Sequence, residues 1–174
     1  MDEYDFFLHL KNSLCTKELA EKNNLDDDKV NDYFLKILDC LKKGSFKSGR
    51  LFVDGASSGN PGKAGIGVVL QIEDDEFELS EPIGITTNNV AEYKALIEGL
   101  KLALDKKIDS IEVFSDSQLV VKQIKGEYAV KDEQLKRLHK EANKLIKRFK
   151  NFNITHIPRG KNKKADMLAK SAAV

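Results

Sequence analysis

The chain has no tryptophan, only two cysteines and almost no net charge, +1 over 174 residues. No stretch approaches the roughly 18 consecutive apolar residues that cross a bilayer. The opening Met1-Asp2-Glu3-Tyr4-Asp5 is acidic where a secretory leader is basic. No membrane partner is therefore expected, and the cytoplasm is the expected location. Cys15 and Cys40 stand far apart and in no metal-ligand spacing, which argues against a disulfide framework or a zinc site and for buried thiols. The length leaves room for one ordinary core of about 100–150 residues and a small appendage, but not for two enzyme domains.

What is present is the balance of a folded protein, 41% hydrophobic and 33% charged residues. The charge divides along the chain. Residues 1–45 carry seven Lys against ten Asp and Glu, net −3, so the remainder carries +4, with its basic excess between Lys131 and Lys170. A basic stripe of that kind is an electrostatic footprint for phosphate backbones, although a solvated helix face is the simpler reading on charge alone.

Two segments differ in period. In the first, Val30, Tyr33, Phe34, Ile37, Leu38 and Leu41 follow helical spacing and form one apolar stripe. Thr16 suits the N-cap of a shorter helix carrying Leu19 and Ala20, Asn23-Asn24 the turn between the two, and Phe6, Phe7 and Leu10 a further helix. This predicts a small all-α domain over 1–45. Periodicity stops around Lys43-Gly44-Ser45-Phe46-Lys47-Ser48-Gly49, where a linker over 46–49 is expected.

From residue 50 the pattern becomes α/β. Strands are predicted at Leu51-Phe52-Val53, around Ile66 to Val69 and around Phe77 to Leu79, an antiparallel meander. A helix from about Val90 to Leu104, a strand at Ile111 to Phe114, a short helix from Ser117 to Ile124 and a long one from about Asp132 to Phe149 follow. A strand over Asn153 to Ile157 and a helix from about Lys163 close the chain. Strand and helix alternation after the meander implies parallel crossovers, hence a mixed five-stranded sheet flanked by helices.

Four acids fall where strands end or helices begin, and each has a plain structural explanation. Asp54 before Gly55 reads as a turn; Glu92, three after Asn89, completes a capping box; Asp116 suits an N-cap; Asp166 complements a helix dipole in a first turn. Together they suggest more, because neighbouring strands bring their ends close in space. Gathered carboxylates repel and need a cation. Oxygen ligands without Cys or a convincing His set point to Mg²⁺ or Mn²⁺, and such a site suits two-metal phosphodiester cleavage.

Four segments in order, Phe52-Val53-Asp54-Gly55-Ala56-Ser57-Ser58-Gly59-Asn60-Pro61-Gly62, Thr87-Asn88-Asn89-Val90-Ala91-Glu92-Tyr93, Ser115-Asp116-Ser117-Gln118 and Asn162-Lys163-Lys164-Ala165-Asp166, resemble the successive motifs of type 1 ribonucleases H, over residues 50–174. The resemblance implies a ribonuclease H-like catalytic domain that hydrolyses the RNA strand of RNA–DNA hybrids with two Mg²⁺ ions, Mn²⁺ being the alternative. It makes Asp54, Glu92, Asp116 and Asp166 the catalytic, metal-binding quartet. It places Asn60, Asn88 and Gln118 against 2′-hydroxyls of the RNA strand, the groups that distinguish RNA from DNA, and Thr87 and Asn89 on a DNA-strand phosphate. Turn and cap duty is the plain alternative for those five. Arg159 is expected to face substrate. His156, on the last strand beside the short Ile157-Pro158-Arg159-Gly160-Lys161 connection, is read as partly buried and structural rather than as the loop histidine of some members. The basic helix that some bacterial members insert is missing after Gly126-Glu127-Tyr128.

Two other functions compete: a nucleic-acid-binding regulator with an inert nuclease-like domain, which the intact set of four acids opposes, and a nuclease of the same fold acting on another nucleic acid. In the N-terminal segment, Thr16-Lys17-Glu18-Leu19-Ala20 followed by Asn23-Asn24-Leu25 and a helix with Val30 resembles a helix-turn-helix pattern. At net −3, protein contact or self-association competes there with nucleic-acid contact.

Overall fold

The computed structural model describes Asp5, Leu8 and residues 26–43 and 47–174. The chain divides into two compact units, Met1–Ser45 and Phe46–Val174. In the first, helix α1 spans Asp27–Lys43. Val30 and Leu38 are buried and Phe34 half-buried, a stripe of one residue per turn, whereas Tyr33 and Ile37 of the expected stripe are exposed. Of the expected helix-turn-helix, the helix with Val30 is this one, while the first helix and turn over Thr16 to Leu25, and the helix through Phe6, Phe7 and Leu10, lie outside the described residues.

The second unit is built on strands β1 (Ser48–Ser57), β2 (Gly62–Ile72), β3 (Asp75–Thr86), β4 (Ser110–Ser115) and β5 (Asn151–His156), in the order β3-β2-β1-β4-β5. The first three pair antiparallel, while β1–β4 and β4–β5 are parallel. This is the mixed sheet that the element order predicts. Helices α2 (Asn88–Asp105), α3 (Gln118–Ile124), α4 (Glu133–Ile146) and α5 (Lys163–Ala172) complete it, with a 3₁₀ turn over Arg159–Lys161.

The linker expected at 46–49 is shorter than its composition suggests. Ser48 and Gly49 already pair with Ser110 and Ile111, and the Lys47 carbonyl accepts from the Asp109 and Ser110 amides. A Cβ on Gly49 would sit 3.3 Å from both Ile111 Cδ1 and Leu70 Cδ1, so this glycine belongs to a packed strand end.

Alternation along the strands sends two residue sets to opposite faces. Leu51 and Val53 of β1 and Ile66, Val68 and Leu70 of β2 enter one core with Leu96 and Leu100 of α2 and Val113 of β4, all but excluded from solvent. Burying such side chains contributes roughly 1.5–3 kcal/mol each. The other face of β2 carries Gly65 and Gly67, whose Cβ positions would lie 2.6 Å from the Ala169 carbonyl oxygen and 2.0 Å from that of Ala165. Those two glycines let α5 lie directly on the sheet, and α5 carries Asp166.

Candidate active site

Asp54 lies inside β1, not at its end: the strand continues to Ser57 and Asp54 pairs with Gly67. The turn expected from Asp54-Gly55 does not form because Gly55 serves another purpose. Its Cβ would stand 2.2 Å from Ala91 C and Glu92 N, so the missing side chain admits the first turns of α2 against the strand. That close approach brings Glu92 to Asp54.

The expected capping box is also displaced. Thr87 is the N-cap of α2, its hydroxyl accepting from the Val90 amide, so Glu92 lies two residues beyond the position of a capping-box carboxylate. Its oxygens instead accept from Asn88 Nδ2 at 3.0 Å and Ser117 Oγ at 2.5 Å. Ser117, rather than Asp116, caps α3 through the Val120 amide. Asp116 thus has no capping duty. It follows Ser115, which pairs with Val53, so Asp116 and Asp54 emerge side by side from adjacent parallel strands. Only Asp166 keeps its plain structural role, in the first turn of α5.

Asn162 joins three of these parts. Fully buried, it donates through Nδ2 to the Val53 carbonyl at 3.0 Å and to Asp116 Oδ1 at 2.7 Å, while its own carbonyl accepts from the Asp166 amide. Asn162 Oδ1 is buried without a partner among the described residues, an arrangement that ordinarily costs about 1–3 kcal/mol. The motif at 162–166 contains this asparagine, but its bonds depend on packing between distant segments.

The acids share one electrostatic field. Asp54 is buried, and its carboxyl is pushed up to about 7, first by desolvation and then by Asp116, Asp166 and Glu92. Burial likewise raises Glu92 to about 7, with Asp116 adding to the shift and the Ser117 and Asn88 hydrogen bonds opposing it. Desolvation also acts on Asp166, but hydrogen bonds from Lys170 and Arg159 outweigh it and hold the carboxyl below its ordinary value. Arg159 donates Nε to Asp166 Oδ1 at 2.9 Å and its Nη2 to the same oxygen, and Lys170 Nζ lies 2.6 Å from Oδ2.

Among the described residues, no three His, Cys, Asp or Glu side chains close into a metal-binding group as they stand. Asp54 nonetheless feels the charges of Asp116, Asp166 and Glu92, and each of those three carries its own protein donors. The chemistry of the four acids fits a hard divalent cation. Their ligand atoms are all oxygens, and Asp54, pushed up to about 7 by burial and then by the charges of Asp116, Asp166 and Glu92, is relieved by a positive charge.

Of the expected substrate-facing residues, Asn88 touches Glu92 directly. Asn60, Asn89 and Gln118 are exposed; Thr87 and Asn88 are half-buried. Asn60 Oδ1 lies 3.4 Å from the Asn88 amide, so the two share one corner. Arg159, although exposed, is turned onto Asp166. His156 differs from the expectation: it ends β5 but is exposed, with Nε2 3.2 Å from the Asp116 carbonyl oxygen. It lies on β5, an edge strand of the sheet, which among the described residues has no neighbouring strand on one side.

Residues 52–172 match the family described as Reverse transcriptase-like. Ribonuclease HI of Halobacterium salinarum is 46% identical over 123 residues, covering 70% of this chain and 62% of that protein. The crystal structure of RNase H1 from Halobacterium salinarum NRC-1 superposes with a TM-score of 0.68 at 43% identity, over 72% of this chain and 96% of that one. LC11-RNase H1, in a crystal structure in complex with RNA/DNA hybrid, gives a TM-score of 0.67 at 42% identity, over 72% and 96%. The chain thus spans under two thirds of the length of the Halobacterium protein.

Proposed function

The chain belongs to the reverse transcriptase-like family as a ribonuclease H domain, and from that premise we propose that it is an endonuclease hydrolysing the RNA strand of RNA–DNA hybrids. The observation that carries this reading is the convergence of Glu92, Asp116 and Asp166 on Asp54, which feels the charge of all three. These four acids would hold the divalent cations, two Mg²⁺ ions or Mn²⁺ in their place. Such ions supply the charge that activates a water and stabilises the leaving oxygen.

The chain's own residues do the rest. Ser117 and Asn88 fix both oxygens of Glu92, and Asn162 fixes Asp116 against β1, so the carboxylates are held in place before substrate arrives. Asn60, Asn88 and Gln118 offer amides, which both donate to and accept from a 2′-hydroxyl. Thr87 and Asn89 sit at the N-terminus of α2, where exposed amides and the helix dipole favour a phosphate. The complex of LC11-RNase H1 with an RNA/DNA hybrid supports that choice of substrate.

The test is incubation of the full chain with RNA–DNA hybrid, double-stranded RNA and double-stranded DNA, each with Mg²⁺, Mn²⁺ or chelator. Cleavage of the RNA strand of the hybrid alone, abolished by chelator, is the expected result. Equal cutting of double-stranded DNA, or cutting in chelator, would contradict the reading.

A further inference from the structure

We propose that Arg159 is an internal competitor for the cation site: its guanidinium occupies the oxygen of Asp166 that an incoming divalent ion needs, until a substrate phosphate draws it away. The inference rests on the reading of the four acids as a cation site.

Partners of the acids differ in charge. Glu92 is held by Ser117 and Asn88, and Asp116 by Asn162, all neutral groups beside which a cation can bind. Both oxygens of Asp166 are held by cations, Oδ1 by two nitrogens of Arg159 and Oδ2 by Lys170. A divalent ion that takes Oδ1 must displace a positive group, so the two exclude one another. The charge of Arg159 also reaches Asp54 and Asp116.

Arg159 is built to leave and Lys170 to stay. Lys170 stands four residues after Asp166 on the same helix, a spacing that keeps the pair together. Arg159 opens a three-residue 3₁₀ turn and its side chain is 65% exposed. Nothing lies within 4 Å of a Cβ on the neighbouring Gly160, so the turn faces open space. A guanidinium released there can meet a phosphate in the paired geometry it forms with a carboxylate. Nucleic acid and divalent ion would then bind with positive coupling, each tightening the other, because both end the same Arg159–Asp166 contact.

The test measures Mn²⁺ binding to the full chain without nucleic acid, from the electron paramagnetic resonance signal of the free ion. Wild type is compared with Arg159→Gln, with Lys161→Gln as a control for loss of a nearby exposed charge, and with Asp54→Asn to identify the site. Because the Arg159 side chain is exposed, Arg159→Gln should tighten Mn²⁺ about three- to fivefold, with Lys161→Gln within roughly twofold of wild type. Unchanged or weaker binding in Arg159→Gln, or an equal gain in both glutamine variants, overturns the competition while leaving the cation site standing. If no Mn²⁺ binding depends on Asp54 in any variant, the cation site itself falls, and this inference with it.

Discussion

At the scale of single residues, the raised carboxyls of Asp54 and Glu92 make a statement about stability. In both, the folded value of about 7 stands above the ordinary value near 4. Between those limits the folded protein binds more protons than the unfolded chain, so folding is favoured at the acid end and the benefit is lost as pH rises through 7. In chelator, denaturant stability should therefore rise as pH is lowered from 8 to 5. Asp54→Asn should flatten that dependence and stabilise the metal-free protein at pH 8 by on the order of 1–2 kcal/mol. A profile of the same slope in wild type and Asp54→Asn would refute the electrostatic account of the cluster. A second residue-scale prediction concerns Asn60, Asn88 and Gln118, which offer several 2′-hydroxyl contacts. Duplex DNA with one ribonucleotide should be cut at least about tenfold more slowly than a hybrid with a longer RNA run, each lost hydrogen bond contributing roughly 1 kcal/mol. Equal rates would remove those contacts from the account. The four acids stand out as candidates in the sequence because they sit in separate motifs of fixed order. Their partners are less legible: the Ser117–Glu92 and Asn162–Asp116 bonds join residues 25 and 46 positions apart. Such bonds exist only once strands and helices pack.

At the scale of elements, sequence period gave strands and helices their places, while their ends needed tertiary structure. Asp54-Gly55 reads locally as a turn, yet β1 runs through it because the backbone of α2 at Ala91 and Glu92 occupies the space over Gly55. Thr87 and Ser117 take the capping duties that spacing alone assigned to Asn89 and Asp116, which frees Glu92 and Asp116 from local structure. Gly55→Ala should thus be costly twice over. A methyl group 2.2 Å from backbone atoms of α2 forces helix and strand apart, destabilising by about 2–3 kcal/mol or more. It also moves Glu92 away from Asp54, so hybrid cleavage should fall further than the loss of folded protein explains. Chemical denaturation with activity per folded molecule checks this. A stable and fully active Gly55→Ala protein would contradict the close approach.

At the scale of the whole chain, the second compact unit begins at Phe46, and all four acids with their partners lie within it. A fragment starting at Lys47 should fold and cut. If residues 1–45 contact nucleic acid, their removal raises KM and spares kcat, because a tethered second contact acts through effective concentration. If they contact protein, neither constant changes. A soluble fragment that is unfolded or inactive would show that the first unit completes the second. The change of period and of charge sign puts a boundary near residue 45, where two compact units also divide, but the N-terminal role is not legible, since helical stripes and net −3 fit several partners. The central claim remains that Asp54, Glu92, Asp116 and Asp166 hold the cations that cut RNA in a hybrid. The most direct measurement is the rate of cutting of an end-labelled RNA strand in a hybrid, with Mg²⁺, by folded wild type and folded Asp54→Asn protein. The account predicts cleavage by wild type and a loss of about a thousandfold or more in the variant, as removal of a transition-state charge partner commonly produces. A folded Asp54→Asn protein that cuts at nearly the wild-type rate would contradict it.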